Sequence, residues 1–425
     1  MNLLRAEWTK FRSVPGWVRG VVVAGLLILL FPATGLGGGS GPKVSPAAGP
    51  GGQPVNDSYT FVQRPLAGNG QITVAVSKLA SVQEAPWAKA GLMFRAGSRY
   101  VAIMVTAGHG VRMQHDFLYD KAGPAGRWLR LTHAGGTVTG EASADGVRWT
   151  VVDRVQLSGP VQAGLFVACP SRIRGISIAD DTATAVFSSG EILTGHGDVG
   201  PATRSDLSGG ATAGDLLFGT FPALIVVVVV GTLMVTTEYR YGVIRLSLSA
   251  GTGRVRTLLA KALVLGGLTF AAALVATVVA VPVWLRVVRG LGAFVFPVRP
   301  GELLRAEVGT AAVLAITAVL ALGVGVILRR SATAVTTVVV VTVLPYLLAL
   351  TPFLPPPLAQ WMTRVTPAAA FAVQQTLTRY PQVDSVYTPA NGYYPLAPWA
   401  GFAVLCGYTA VALGTAAVLV RRRDV

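Results

Sequence analysis

Apolar residues run along this chain in two rhythms, and the change of rhythm divides it. Long unbroken stretches occupy about 20–36, 216–236, 258–285, 308–328, 332–350 and 399–420. Stretches of roughly 18 to 25 residues can cross about 30 Å of hydrocarbon as helices, which satisfy their own backbone amides there. The first, at 17 residues, is near the lower limit. A cleaved signal peptide is the rival reading for it, with Ala33 as a processing point. The long preceding region, with Glu7 and Trp8, and the lack of a clean A-x-A site favour an uncleaved anchor. The pattern predicts six transmembrane helices.

Between the first and second stretches the period shortens. Residues 59–189 hold short alternating or β-branched segments separated by turn residues at roughly ten-residue spacing, the pattern of a β-sandwich. About nine strands are expected, at 71–79, 88–95, 100–106, 111–117, 128–133, 137–143, 149–155, 161–168 and 176–187, with a hairpin turn at Asp145-Gly146. Stretches rich in Gly, Pro, Ser and Ala flank the region and read as tethers. The expected organisation is thus 1–36, an amphipathic interfacial helix and first span; 37–56, linker; 57–190, sandwich; 191–214, linker; and 215–425, five further spans with an outer helical loop at 352–396. The fold class that follows is membrane all-α with an inserted all-β extracytoplasmic sandwich.

Charge adds an orientation. Of 425 residues only 13% are charged, yet the net charge is +16. Residues 1–20, 238–261, 329–330 and 421–425 together hold 14 Lys and Arg against 3 Asp and Glu, whereas the insert 36–215 holds 15 against 13. This alternation between connections is the positive-inside bias, which puts both termini in the cytoplasm, the sandwich outside, and removes any need for a nucleic-acid partner. Cys169 and Cys406 fall in different environments, which argues against a mutual disulfide.

Two segments outside the spans are helix-like. In LLRAEWTKFR, Leu3, Leu4, Trp8 and Phe11 form an apolar stripe while Arg5, Lys10 and Arg12 can meet lipid phosphates. In the outer loop, Trp361, Val365, Ala369 and Val373 recur at helical spacing, with Tyr393, Tyr394 and Trp399 as interfacial anchors.

LLRAEWTKFR resembles the opening of permease subunits in the type 2 ABC exporter family, particularly the actinobacterial form. Residues 236–263, TTEYRYGVIRLSLSAGTGRVRTLLAKAL, resemble that family's connection after the second span, with Val243 where Thr is usual, and TPAAAFAVQQT is similar to the helix before its last span. The resemblance covers about a seventh of the chain. It implies a cytosolic ATP-binding cassette ATPase as partner, because the chain carries no G-x-x-x-x-G-K-[ST] loop to cradle nucleotide phosphates. It also implies a second permease copy, as homodimer or heterodimer. An ATPase-coupling role passes to Trp8, Lys10, Glu238, Tyr239, Arg240, Gly242 and Arg245. The plainer reading of these residues is orientation by snorkelling cations, with Glu238 neutralising Arg240 or Arg245.

PWAKAGLMFR, WLRLTHAGGTVTGEASADGVRW and VQAGLFVA together resemble concanavalin-like lectin/glucanase folds, implying a jelly roll. No E-x-D-x-x-E triplet supplies paired glycosidase carboxylates, and Glu84 and Glu141 stand apart, so no enzyme activity is expected of this chain. Trp87, Trp128 and Trp149 are candidate stacking platforms for carbohydrate, against the ordinary reading of core aromatics; an extracellular protein is the other candidate ligand. His109, His115, Asp116 and Asp120 follow no zinc or calcium spacing, and Asp180-Asp181 is the alternative oxygen source; no metal site and no cofactor are assigned. Within the spans, Thr269, Thr277, Thr310, Thr317 and the group Ser331, Thr333, Thr336, Thr337, Thr342 can bond their own helix carbonyls. The apparent lack of a buried charge pair disfavours a proton-coupled transporter. The expected function is an exporter permease in the cell membrane; the alternative is a membrane-anchored lectin-like recognition or sensor protein without transport activity.

Overall fold

The computed structural model describes residues 2–34, 46–174, 177–179, 181–204, 210–241, 253–351, 354–383 and 387–422. The chain forms two compact units, one of Met1–Lys43, Gly209–Leu377 and Tyr387–Val425, the other of Val44–Ser208 and Thr378–Val386.

The first unit is helical. Among the described residues five helices are long and apolar enough to cross a membrane: Thr220–Arg240, Arg254–Gly290, Pro300–Leu328, Ser331–Leu350 and Pro398–Arg422. A sixth is counted if the bent pair Leu3–Ser13 and Pro15–Leu30, turned 81° at the break, makes one span. Pro15 opens the second helix of that pair, where its missing N–H interrupts no hydrogen bond. This helix lies earlier than the apolar run suggests, ending at Leu30 and followed by a 3-10 turn over Phe31–Thr34. Ser331–Leu350 is broken at Val343, two residues before Pro345, into Ser331–Thr342 and Leu344–Leu350.

The bundle core is aliphatic, with Val227, Val228, Met234, Leu265, Leu314, Ala318 and Leu322 buried together. Close helix approach needs small residues. A Cβ on Gly231 would sit 2.4 Å from the Ala318 carbonyl oxygen, so only glycine lets those two helices pack at that distance.

The segment before the last long helix departs from the expected continuous helical face. An α-helix spans Pro356–Val365, Thr366 is extended as the residue before a proline must be, and Pro367–Gln374 continues as a 3-10 helix. The break rotates the face: Trp361 and Val365 are 59% and 37% exposed, whereas Ala369 and Val373 are fully buried. All eight residues of Pro367–Gln374 are buried. Tyr393 and Tyr394 are also interior, not interfacial anchors, and the Tyr394 hydroxyl donates to Tyr346 Oη at 3.1 Å. Trp399 alone of that trio is exposed.

The second unit is built on two antiparallel six-stranded sheets. In spatial order one holds Thr150–Gln156, Thr137–Ser143, Trp128–Ala134, Gly70–Ser81, Ala183–Phe187 and Ile192–Gly195. The other holds Thr60–Leu66, Val161–Ala168, Lys89–Ala96, Arg99–Thr106, Gly110–His115 and Tyr119–Ala122. Alternation explains the pairing: Leu129 and Leu131 point inward from one strand, Val138 and Ala142 from its neighbour, and they meet Leu92, Phe94, Val101 and Ile103 of the second sheet. Within Lys89–Ala96 the unbroken apolar run Ala90–Phe94 is buried on both faces. Met93 packs behind it with Tyr100, Met104, Phe117 and Phe166 in a separate cluster, and a three-stranded sheet of Ala47–Ala48, Pro54–Asp57 and Val199–Pro201 lies in the same unit. The expected strand at 176–187 divides into Ser177–Ala179 and Ala183–Phe187; Ile176 lies outside the described residues.

Candidate functional site

At the Arg240 end of the Thr220–Arg240 helix, three elements are joined by charge. Glu238 lies two residues before that helix ends. Lys261 lies two turns inside Arg254–Gly290, and its Nζ reaches Glu238 Oε1 at 2.6 Å and Glu7 Oε2 at 2.8 Å. Lys10 donates to the same Glu238 oxygen. Glu7, Lys261 and Glu238 are buried, at 6%, 5% and 4% exposure.

The sequence folds this way for local reasons. Along Asn2–Ser13, Glu7, Lys10 and Phe11 fall at i, i+3 and i+4 and so share one face. Phe11 is buried and packs on Trp17 with ring centroids 5.9 Å apart. That face carries two charges and one ring, so its burial requires oppositely charged partners. Lys261 sits on the helix face that also buries Leu258 and Leu265, which carries its ammonium to both carboxylates. Two cations and two anions form a neutral, hydrogen-bonded set that links Asn2–Ser13, Thr220–Arg240 and Arg254–Gly290.

The apolar stripe expected along Leu3, Leu4, Trp8 and Phe11 is therefore split. Phe11 points into the bundle, while Leu4 and Trp8 are 44% and 45% exposed. Glu238 has Lys10 and Lys261 as partners, and the expected pairing with Arg245 falls outside the described residues. The Arg240 guanidinium instead lies over the Tyr241 ring at 5.9 Å. Tyr239 packs against the bundle core under the Arg329 guanidinium at 4.9 Å. Gly242 and Arg245 lie outside the described residues. The expectation that the helices carry no buried charge pair is overturned by the Lys261 contacts, because partners 254 and 23 positions away are invisible to local reading. Glu7 and Lys261 are the residues that sequence reasoning missed. Their signals were slight: one acid in a basic opening, and one lysine inside an apolar helix.

At the other end of Thr220–Arg240 a second polar set is buried. Gln374 Nε2 donates to Thr220 Oγ1 and Thr310 Oγ1, each at 3.1 Å, tying the 3-10 segment to two long helices. Phe221, Tyr346 and Phe371 pack beside it with centroids 4.4 to 4.8 Å apart. Thr317 and Thr342 donate to carbonyls four residues earlier, as their helix-bonding reading expects.

In the β unit the three tryptophans have different surroundings. Trp87 is buried, stacked on His109 at 4.0 Å, with Arg112 over the ring at 5.7 Å. Trp149 is half-buried under the Arg130 guanidinium at 3.6 Å, and Arg130 also meets Glu141 at 3.5 Å. Trp128 is half-buried and lines an open depression of about 640 Å³ with Ser77, Arg127 and Ser188.

The His and Asp residues of 109–120 are engaged elsewhere. Asp116 takes a bidentate contact from Arg99 at 3.0 and 2.7 Å, and Asp120 accepts from Arg112 and from Gln114 at 2.9 Å. Among the described residues, no group of three or more His, Cys, Asp or Glu could hold a metal ion. Asp181 accepts backbone N–H bonds from Gln83 and Thr182, while Asp180 lies outside the described residues. At the 145–146 turn, Asp145 accepts from the Arg148 and Val147 amides and the Ser143 hydroxyl, which hold its carboxyl well below the usual carboxylate range. Both cysteines are free.

No protein-family model matches this chain, and no curated protein matches it. Among solved structures, a functionally unknown protein from Saccharomyces cerevisiae is similar at 18% identity and a TM-score of 0.24, over 36% of this chain and 82% of that one. A likeness that slight bears on neither fold nor function.

Proposed function

We propose that this chain is a permease subunit of a type 2 ABC exporter, with six transmembrane helices, both termini in the cytoplasm and a concanavalin-like sandwich outside. The bent pair at the start would be the interfacial helix and first span. ATP would be bound and hydrolysed by a separate cytosolic subunit, and a second permease copy would complete the pathway.

The observation that carries the reading is the ion-paired set of buried Glu7, Glu238 and Lys261 with half-buried Lys10. A helix that merely anchors a domain has no use for a joint with three buried charges, since burying charge costs several kcal/mol per ion before pairing returns it. A joint that moves three elements together does have a use for it. Trp8, Leu4, Arg5 and Arg12 on the exposed face of Asn2–Ser13 then present the surface on which a motor subunit acts, and the ion pairs carry that motion into two spans. The role first assigned to Lys10 and Glu238 is thereby transmission, while Trp8 and Arg240 remain contact residues.

Affinity isolation of the intact protein from mild detergent tests the reading. A nucleotide-hydrolysing subunit that co-purifies, and is lost with Trp8→Ala combined with Arg12→Ala, is the expected result. Isolation of the chain with no such subunit, from cells expressing its neighbouring genes, would favour the membrane-anchored recognition protein.

A further inference from the structure

Residues 378–383 follow the buried 3-10 segment Pro367–Gln374 after only Gln375, Thr376 and Leu377, yet they belong to the compact β unit. Gln382 and Val383 are 1% and 8% exposed. Gln382 Nε2 donates to the Leu118 carbonyl at 2.9 Å and to the Phe117 carbonyl at 3.3 Å. Those carbonyls belong to the three-residue loop joining Gly110–His115 to Tyr119–Ala122, the hairpin at the edge of its sheet.

Two features make this contact easy to undo. Asp116 and Phe117 are held at φ +49° and +66°, a region that a side chain with a Cβ enters at a cost. The Arg99 contact to Asp116 and the edge-on packing of Phe117 against Tyr100 at 4.9 Å keep the loop there. In addition, Gln382 Oε1 is buried with no hydrogen-bond partner among the described residues. A buried acceptor left without a donor loses its hydration and gains nothing in return, which offsets much of what the two donated bonds contribute.

We infer that residues 378–383 are a releasable latch. Docked on the Asp116–Leu118 loop, the latch restrains the adjoining Pro367–Gln374 segment; undocked, it lets that segment loosen. Gln374 bonds Thr220, the first residue of the helix that ends near Glu238. Release of the latch therefore changes the order of the element that holds one end of that helix.

Hydrogen–deuterium exchange on the full chain in lipid nanodiscs tests it, with Gln382→Glu, whose carboxylate would face two carbonyl oxygens, and Gln382→Met, which removes the donors without adding charge. The expected result in either variant is exchange raised about ten-fold or more at residues 116–119, as two hydrogen bonds are lost, accompanied by a rise at 368–377, with residues 92–94 of the sheet core still protected. A rise at 116–119 alone, at neither segment, or only together with the sheet core would overturn it.

Discussion

Lys261 reaches back to Glu7 across 254 positions of chain, their side chains 2.8 Å apart and both almost without exposure. The contact fixes the opening helix to the bundle and makes Lys261 the hinge of the charge set, since it also holds Glu238.

Removing Lys261 should therefore cost more than removing any one acid. Among the described residues, Lys261→Met leaves Glu7 with no cation and Glu238 with Lys10 alone, and breaking a buried pair from one side costs about 3–5 kcal/mol. Glu7→Gln in the same background should recover part of the loss, because that carboxylate no longer needs a counter-ion. Thermal unfolding of both variants in detergent reads the difference; additive losses would show that the groups act separately.

Gln374→Leu should lower stability by about 1–3 kcal/mol, since Thr220 and Thr310 each lose a buried hydrogen bond. The same unfolding assay measures it, and an unchanged midpoint would mean that the 3-10 segment is held by packing alone.

The tryptophans should part company. Trp87→Ala opens a cavity beneath His109 and Arg112 and costs about 3–5 kcal/mol of β-unit stability. Trp149→Ala removes a half-exposed ring under Arg130 and costs about 1 kcal/mol. Trp128→Ala should leave the fold intact, and if the depression takes a sugar, glycan-array binding should fall with this variant and not with Trp149→Ala.

Burial, and after it the charge of Asp181, push the Cys169 thiol up to about 12 from 9.0. A folded value raised above the unfolded one means that the thiol's contribution is fully present below pH 9 and is lost as pH rises from 9 towards 12. Unfolding followed across that window should show a falling stability whose slope is reduced in Cys169→Ala; an identical slope in both proteins would contradict the assignment.

How much was legible in the sequence depended on distance along the chain. Period-2 alternation located Thr137–Ser143 and Val161–Ala168 to the residue, because each strand's burial is set by its own spacing. Long apolar runs located the five long helices, with ends shifted by a few residues. Reading failed where one residue changed the geometry: Pro367 turned Ala369 and Val373 away from Trp361 and Val365. It failed again where partners were remote. Nothing near Lys261 announces Glu7, and nothing near Gln382 announces the carbonyls of Phe117 and Leu118.

In the proposed topology the apolar helices cross the bilayer an even number of times, with basic edges in the cytosol and the sandwich outside. Single cysteines at Val147 and at Arg422, in a background with Cys169→Ala and Cys406→Ala, test it by labelling intact cells with a membrane-impermeant maleimide. Val147→Cys, on a side chain 79% exposed, should react at once, and Arg422→Cys only after the membrane is opened. Reaction of both positions in intact cells, or of neither, would contradict the account.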